Sequence, residues 1–170
     1  MRLQIYFANM DAIDLSNIIK EELEYLQVSH KNIEIDLASA FNKERNQYNA
    51  LKIFDMFGDK DELHLLIVEP DIFVPAFNYC FGVAYGNKAI VSLARLKTSF
   101  YGLDEDRFKM LERLEKEVMH ELGHMLGLGH CKNRSCVMYF SNTIEDTDRK
   151  SRRYCTDCKK LLSKYRSKSQ

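Results

Sequence analysis

The stretch HELGHMLGLGH (His120–His130) sets three histidines and one glutamate in an apolar, glycine-punctuated frame. Its first half continues a longer pattern. Phe108, Leu111, Leu114, Val118, Leu122 and Met125 recur every three or four residues, which predicts an amphipathic helix from about 105 to 126. Asp104 is a suitable N-cap, with Glu105 and Asp106 placed to meet the positive helix end. The helix would carry His120, Glu121 and His124.

On such a helix, positions i and i+4 share a face about 6 Å apart along the axis. His120 and His124 can therefore aim their imidazoles at one point, and zinc suits that pair, with nitrogen ligands at about 2.0–2.1 Å. Glu121 lies about 100° round the helix from His120, able to overhang a metal without ligating it. A third ligand cannot come from the next turn, where Gly127 and Leu128 stand. Gly127 instead permits a left-handed turn that ends the helix and lets His130 close the site. Three protein ligands leave the fourth position for water or substrate, as a catalytic rather than a structural zinc requires.

Upstream, RLQIYF (2–7) reads as an opening strand, and Leu15, Ile18, Ile19, Leu23 and Leu26 mark an amphipathic helix. NIEID (32–36) alternates like a second strand, and residues 41–59 read as a second helix stopped at Gly58. LHLLIVEP (63–70) fits a buried central strand. CFGVAYG (80–86) and AIVSLARL (89–96) form a hairpin through Gly86, Asn87 and Lys88. Gly82 places the first of these at a sheet edge, where another backbone could approach closely. The expected fold class is α/β, a mixed sheet with one antiparallel edge strand and a long active-site helix.

At 170 residues the chain is read as one domain, divided into an N-terminal subdomain (1–127) with sheet and helix and a small C-terminal subdomain (128–170). A composition 45% hydrophobic and 29% charged excludes disorder over most of the length, and no apolar run is long enough to span a membrane. The N-terminus carries no secretory h-region, so the expected location is cytoplasmic. Net charge is zero, but residues 149–170 hold nine Lys or Arg against Asp157 alone, a +8 tail balancing a −8 remainder. Such a tail is read as a solvated end before a nucleic-acid contact, and the chain as a monomer. Without an export signal, Cys131, Cys136, Cys155 and Cys158 read as a metal site before they read as two disulfides. Cys80, His30 and His64 are assigned to packing or surface roles.

HExxHxxGxxH resembles the zinc signature of the metzincin metallopeptidases, with Met138 placed for their Met-turn. The cysteines that intrude on it, Cys131 directly after His130, then Cys136-Val137-Met138 and Cys155-Thr156-Asp157-Cys158, resemble the archaemetzincin family more narrowly. The resemblance implies a peptidase in which His120, His124 and His130 bind a catalytic zinc. It also implies that Glu121 serves a zinc-bound water as general base and acid, that Met138 supports the site, and that the four cysteines hold a structural zinc. Two Zn2+ per chain and a peptide or protein substrate follow. Four thiolates at about 2.3 Å would satisfy a tetrahedral ion and tie down the segment after His130. Many metzincins carry a tyrosine two residues after the methionine; here that position is Phe140, and Tyr139 adjoins Met138, so no catalytic tyrosine is carried over. Two rivals stand beside this reading: a zinc-binding protein with narrow or no proteolytic activity, and a zinc-ribbon-like nucleic-acid-binding module that uses the basic tail.

Overall fold

The computed structural model describes residues 1–168. Strand β1 (Arg2–Ala8) is followed by helix α1 (Ser16–Glu22) and strand β2 (Gln27–Ile33). Short strands β3 (Phe41–Asn42) and β4 (Gln47–Asn49) lead into helix α2 (Ala50–Ile53). Then come β5 (Leu63–Val68), β6 (Ile72–Phe73), β7 (Gly82–Tyr85) and β8 (Lys88–Ser92). Helices α3 (Arg107–Met125), α4 (Ile144–Arg149) and α5 (Thr156–Lys168) complete the chain.

Five strands form the main sheet in the order β2-β1-β5-β8-β7, with β7 antiparallel to β8 and all other pairs parallel. β3, β4 and β6 make a small second sheet. The expected mixed sheet with an antiparallel edge is therefore present. Period-two alternation splits the core between the faces of the main sheet. Leu3, Ile5, Phe7, Leu65, Ile67, Ala89 and Val91 pack toward α1 and α3, against Ile19, Leu114, Val118 and Leu122. Tyr6, Ala8, Leu66, Val68 and Ile90 face the segment that holds Ile53, Phe54 and Phe57. β5 is buried at every position, as a central parallel strand should be. β2, by contrast, is an outer strand that exposes Gln27, Ser29, His30, Lys31 and Asn32.

Four expectations are corrected. The second strand lies at 27–33 and not 32–36, because it pairs residue by residue with β1 from Arg2↔Gln27 to Ala8↔Ile33. Residues 41–59 are not one helix: Asn46 adopts a left-handed φ of 52° and the Asn49 side chain caps a fresh start by accepting from Leu51 N. The cap of α3 is Asp106, which accepts from Lys109 N at 2.9 Å, and not Asp104. Thr98 dictates that shift, since its hydroxyl donates to Asp104 O and accepts from Asp106 N. Phe108 is 87% exposed and belongs to no core stripe; the buried stripe of α3 starts at Leu114.

The C-terminal segment is stapled back onto the rest. Arg113 holds Asp148 through two nitrogens at 2.7 and 2.8 Å, docking α4 on α3. Arg152 meets Glu115, Arg153 meets Glu21, and Lys159 meets Glu22. Three of the nine cations of the basic tail are thereby matched by acids of α1 and α3. Among the described residues, no helix is long and apolar enough to cross a membrane.

Candidate metal centres and cleft

α3 ends as the sequence requires. Gly127 takes φ 92°, its N–H donates to His124 O, and Leu128 N donates to Gly123 O, the paired bonds of a glycine-terminated helix. The chain doubles back and the three imidazoles converge, their ligand atoms lying within 4.8 Å of one another.

The hydrogen bonds of these rings fix their tautomers. His120 Nδ1 lies 2.7 Å from Val137 O and His124 Nδ1 lies 2.9 Å from Leu128 O. A carbonyl only accepts, so both Nδ1 atoms carry protons and both Nε2 atoms present lone pairs. Those two Nε2 atoms face each other at 3.1 Å. Two lone pairs at that separation repel unless a cation sits between them. Tetrahedral zinc with bonds of about 2.0–2.1 Å would hold its nitrogens roughly 3.3 Å apart, close to the observed spacing. Burial, followed by the charge of Lys150, pushes the His120 imidazole well below its ordinary pKa, and burial likewise lowers His124 and His130. Neutral rings are the form that binds metal.

Cys131, Cys136, Cys155 and Cys158 also converge. Cys131 Sγ and Cys155 Sγ are 3.8 Å apart, and Cys136 Sγ and Cys158 Sγ 3.7 Å. A disulfide would need about 2.05 Å, whereas the edge of a zinc–sulfur tetrahedron is about 3.8 Å. All five cysteines are free in this structure, which agrees with a metal site rather than two disulfides. Against the opposing effect of burial, the Cys158 N–H and the neighbouring thiols draw Cys155 down to about 7. The donor set fits a closed, four-thiolate zinc site. It also abuts the imidazole cluster, because Cys131 N donates to Met138 O and Val137 O holds His120.

The imidazoles floor a cleft of about 510 Å³ walled by β7 on one side and by Phe140, Ser141 and Asn142 on the other. Glu121 is 3% exposed and borders this cleft; burial, then the nearby Glu117, raises its carboxyl well above the usual range. On its side-chain face Gly82 is approached closely by Glu121. A Cβ at Gly82 would stand 2.8 Å from Glu121 Cγ and Oε1. Phe140 is the aromatic that faces the cleft, its ring 4.8 Å from that of His130, while Tyr139 contributes a backbone carbonyl to Lys150. Met138 is fully buried beneath the cluster. His30 is exposed on β2, and His64 is buried between Tyr6 and Asp59, both outside the cleft. Cys80 lines the cleft, and burial pushes its thiol up to about 12, which fits its assignment as unreactive.

Two features escaped the sequence. Lys150 is fully buried, with Nζ 3.1 Å from Glu117 Oε1, and Thr147 donates to the same oxygen at 3.1 Å. This network ties α4 to α3 one turn before Glu121, and only the folded chain brings its members together. Gly123 is the second. A Cβ there would meet Met138 Cε at 3.0 Å and Tyr154 Cε1 at 3.1 Å, with the Met138 sulfur closer still. Gly123→Ala should lower stability by about 1–3 kcal/mol through overpacking and weaken metal binding, both readable by denaturant titration and a competitive zinc chelator. An unchanged midpoint and zinc affinity would show that Met138 yields at no cost.

A helix presenting two imidazoles and a carboxylate, a third imidazole after a glycine turn, and an open sheet edge across the cleft define a metallopeptidase. Residues 9–164 match peptidase family M54. An archaemetzincin of Pyrococcus horikoshii is 50% identical over 137 residues, covering 76% of this chain and 73% of that protein. The crystal structure of archaemetzincin from Methanopyrus kandleri superposes with a TM-score of 0.83 at 35% identity, covering 98% and 96% of the two chains. A zinc-dependent peptidase from Methanocorpusculum labreanum gives 0.79 at 30% identity, covering 94% and 99%. The chain belongs to peptidase family M54, the archaemetzincins, a family of zinc metallopeptidases.

Proposed function

We propose that this chain hydrolyses peptide bonds at His120, His124 and His130, with a zinc ion held there and a second, structural zinc held by Cys131, Cys136, Cys155 and Cys158. The observation that carries the reading is the pair of Nε2 lone pairs facing each other at 3.1 Å, an arrangement that calls for a cation. When bound, the catalytic zinc supplies Lewis acidity, polarising a peptide carbonyl and making a water more acidic.

The protein's own groups do the rest. Glu121 takes a proton from the attacking water on a carboxylate oxygen and delivers it to the departing amide nitrogen. Its aliphatic stem is held against Gly82, which limits its rotamers. Lys150 offsets part of the charge that Glu117 places beside Glu121. Met138 and Tyr154 brace Gly123 from below, and the Val137 and Leu128 carbonyls hold two imidazoles at their outer nitrogens.

The substrate lies extended along β7. Phe81 O is used by Ser92 N, so alternate residues of this edge bond inward to β8 and the backbone groups of Gly82 and Ala84 point outward. These are free to pair with a peptide strand. The cleft then divides residues 1–127 from 128–170, which we read as two subdomains, and the free thiols suit a reducing compartment such as the cytoplasm. The internal ion pairs of Arg152, Arg153 and Lys159 argue against the basic tail as a nucleic-acid surface. Elemental analysis should find two zinc ions per chain, and a peptide-library digest should show cleavage that stops on chelation and returns with zinc. Zinc-loaded protein that cleaves no peptide would leave a binding protein in its place.

A further inference from the structure

The two rims of the cleft are joined at one end. Tyr79, on the segment that leads into β7, donates its hydroxyl to the backbone carbonyl of Asn142 at 2.5 Å. Asn142 belongs to the opposite rim, four residues beyond Met138, and both residues line the cleft. The bridge is built rather than incidental. The Arg95 guanidinium lies 3.9 Å over the Tyr79 ring while forming two 2.8 Å bonds to Asp71. The Tyr79 ring also packs edge-on against Phe81 at 5.5 Å. Arg45 donates to the carbonyls of Phe77 and Asn78, and Gln47 reaches Asn78 O as well. A loop pinned at its tyrosine and at two carbonyls is a wall, not a mobile lid.

Its position relative to the chemistry sets its consequence. Gly82 stands opposite Glu121, and Tyr79 precedes it by three residues. The chain bends at Phe81 between them, so the three residues span at most about 10 Å. A peptide lying along β7 therefore meets the bridge within two or three residues of the point of cleavage. At the other end nothing comparable intervenes among the described residues: Tyr85 is 76% exposed and a Cβ at Gly86 would meet open space.

Resting on the peptidase reading above, we propose that Tyr79 is a specificity-determining residue that makes the cleft blind at one end. The site then takes substrates with no more than about three residues on that side, that is, chain termini and short peptides, and refuses internal segments of longer chains.

The test uses phosphinic pseudopeptides, whose tetrahedral phosphinate replaces the scissile bond, with one to six alanine residues added on either side. Binding to the zinc-loaded protein is measured by calorimetry, which needs no turnover. Lengthening one side beyond three residues should weaken binding at least tenfold, while lengthening the other changes it less than threefold. Tyr79→Ala should reduce the penalty to under threefold, and Tyr79→Phe, which keeps the ring and removes only the hydroxyl, should reduce it in part. Equal tolerance of length on both sides in the unmodified protein overturns the proposal while leaving the peptidase reading intact. So does a penalty that survives Tyr79→Ala. No binding at any length overturns both.

Discussion

Glu121→Gln should lower peptide hydrolysis by about 10²–10⁴-fold, or about 3–5 kcal/mol of barrier, which is what a positioned general acid–base group supplies. The glutamine amide fills the same space against Gly82, so the change removes proton transfer without opening a cavity at this buried position. The loss should fall on kcat with KM little altered, because in the proposed mechanism the carboxylate would act on the reacting atoms and the edge of β7 would hold the peptide. Zinc content should stay at the unmodified value, since Glu121 is not among the converging donors. Steady-state kinetics with elemental analysis on the same sample separates these effects. Retained hydrolysis would remove Glu121 from the chemistry. Loss of zinc would instead reassign it to metal binding.

Cys158→Ser should do greater structural damage. Cys158 is 5% exposed, and its sulfur lies 3.7 Å from that of Cys136. Structural zinc sites contribute on the order of 10–16 kcal/mol of apparent binding free energy in small zinc domains, so losing one thiolate should cost several kcal/mol. The harm should spread, because the same segment carries Met138, the carbonyl that orients His120, and the chain directly after His130. We expect the denaturation midpoint to fall, the zinc count to drop by more than one per chain, and peptide hydrolysis to be lost. A variant that keeps an unchanged midpoint and one firmly bound zinc would show that the two clusters are independent.

What could be read from the sequence followed from how local its cause was. β1, β5 and α3 are each buried along one stripe or along their whole length, and their apolar spacing announced them. The three histidines were legible because helix pitch and one glycine fix their convergence. β2 was misplaced because an outer strand buries little, so the Ile33 and Ile35 alternation was a false lead and the true register came from β1. Residues 41–59 misled for a different reason. Tyr48, Leu51, Phe54 and their neighbours are spaced like a helix, but three asparagines (Asn42, Asn46 and Asn49) bend the chain between them, and Asn42 turns its side chain onto Arg45 N. Glu117, Lys150 and Gly123 were out of reach because their roles depend on partners 15 to 33 residues away in the chain. The Tyr79 bridge to Asn142 spans 63.

The contrast between the two borders of the main sheet has a consequence for how the molecule behaves in a crowded solution. An unpaired strand is an invitation to any extended polypeptide, wanted or not. Along β2 the solvent meets two amides, a hydroxyl, an imidazole and a lysine, with Val28 and Ile33 half-buried, so a stray chain finds little apolar surface to hold it there. β7 is only four residues long and lies over α3, too brief to seed a growing stack of strands yet long enough to grip one guest at a time. On the proposed binding mode, stickiness is thereby confined to the border of the main sheet where a visiting chain would be cut.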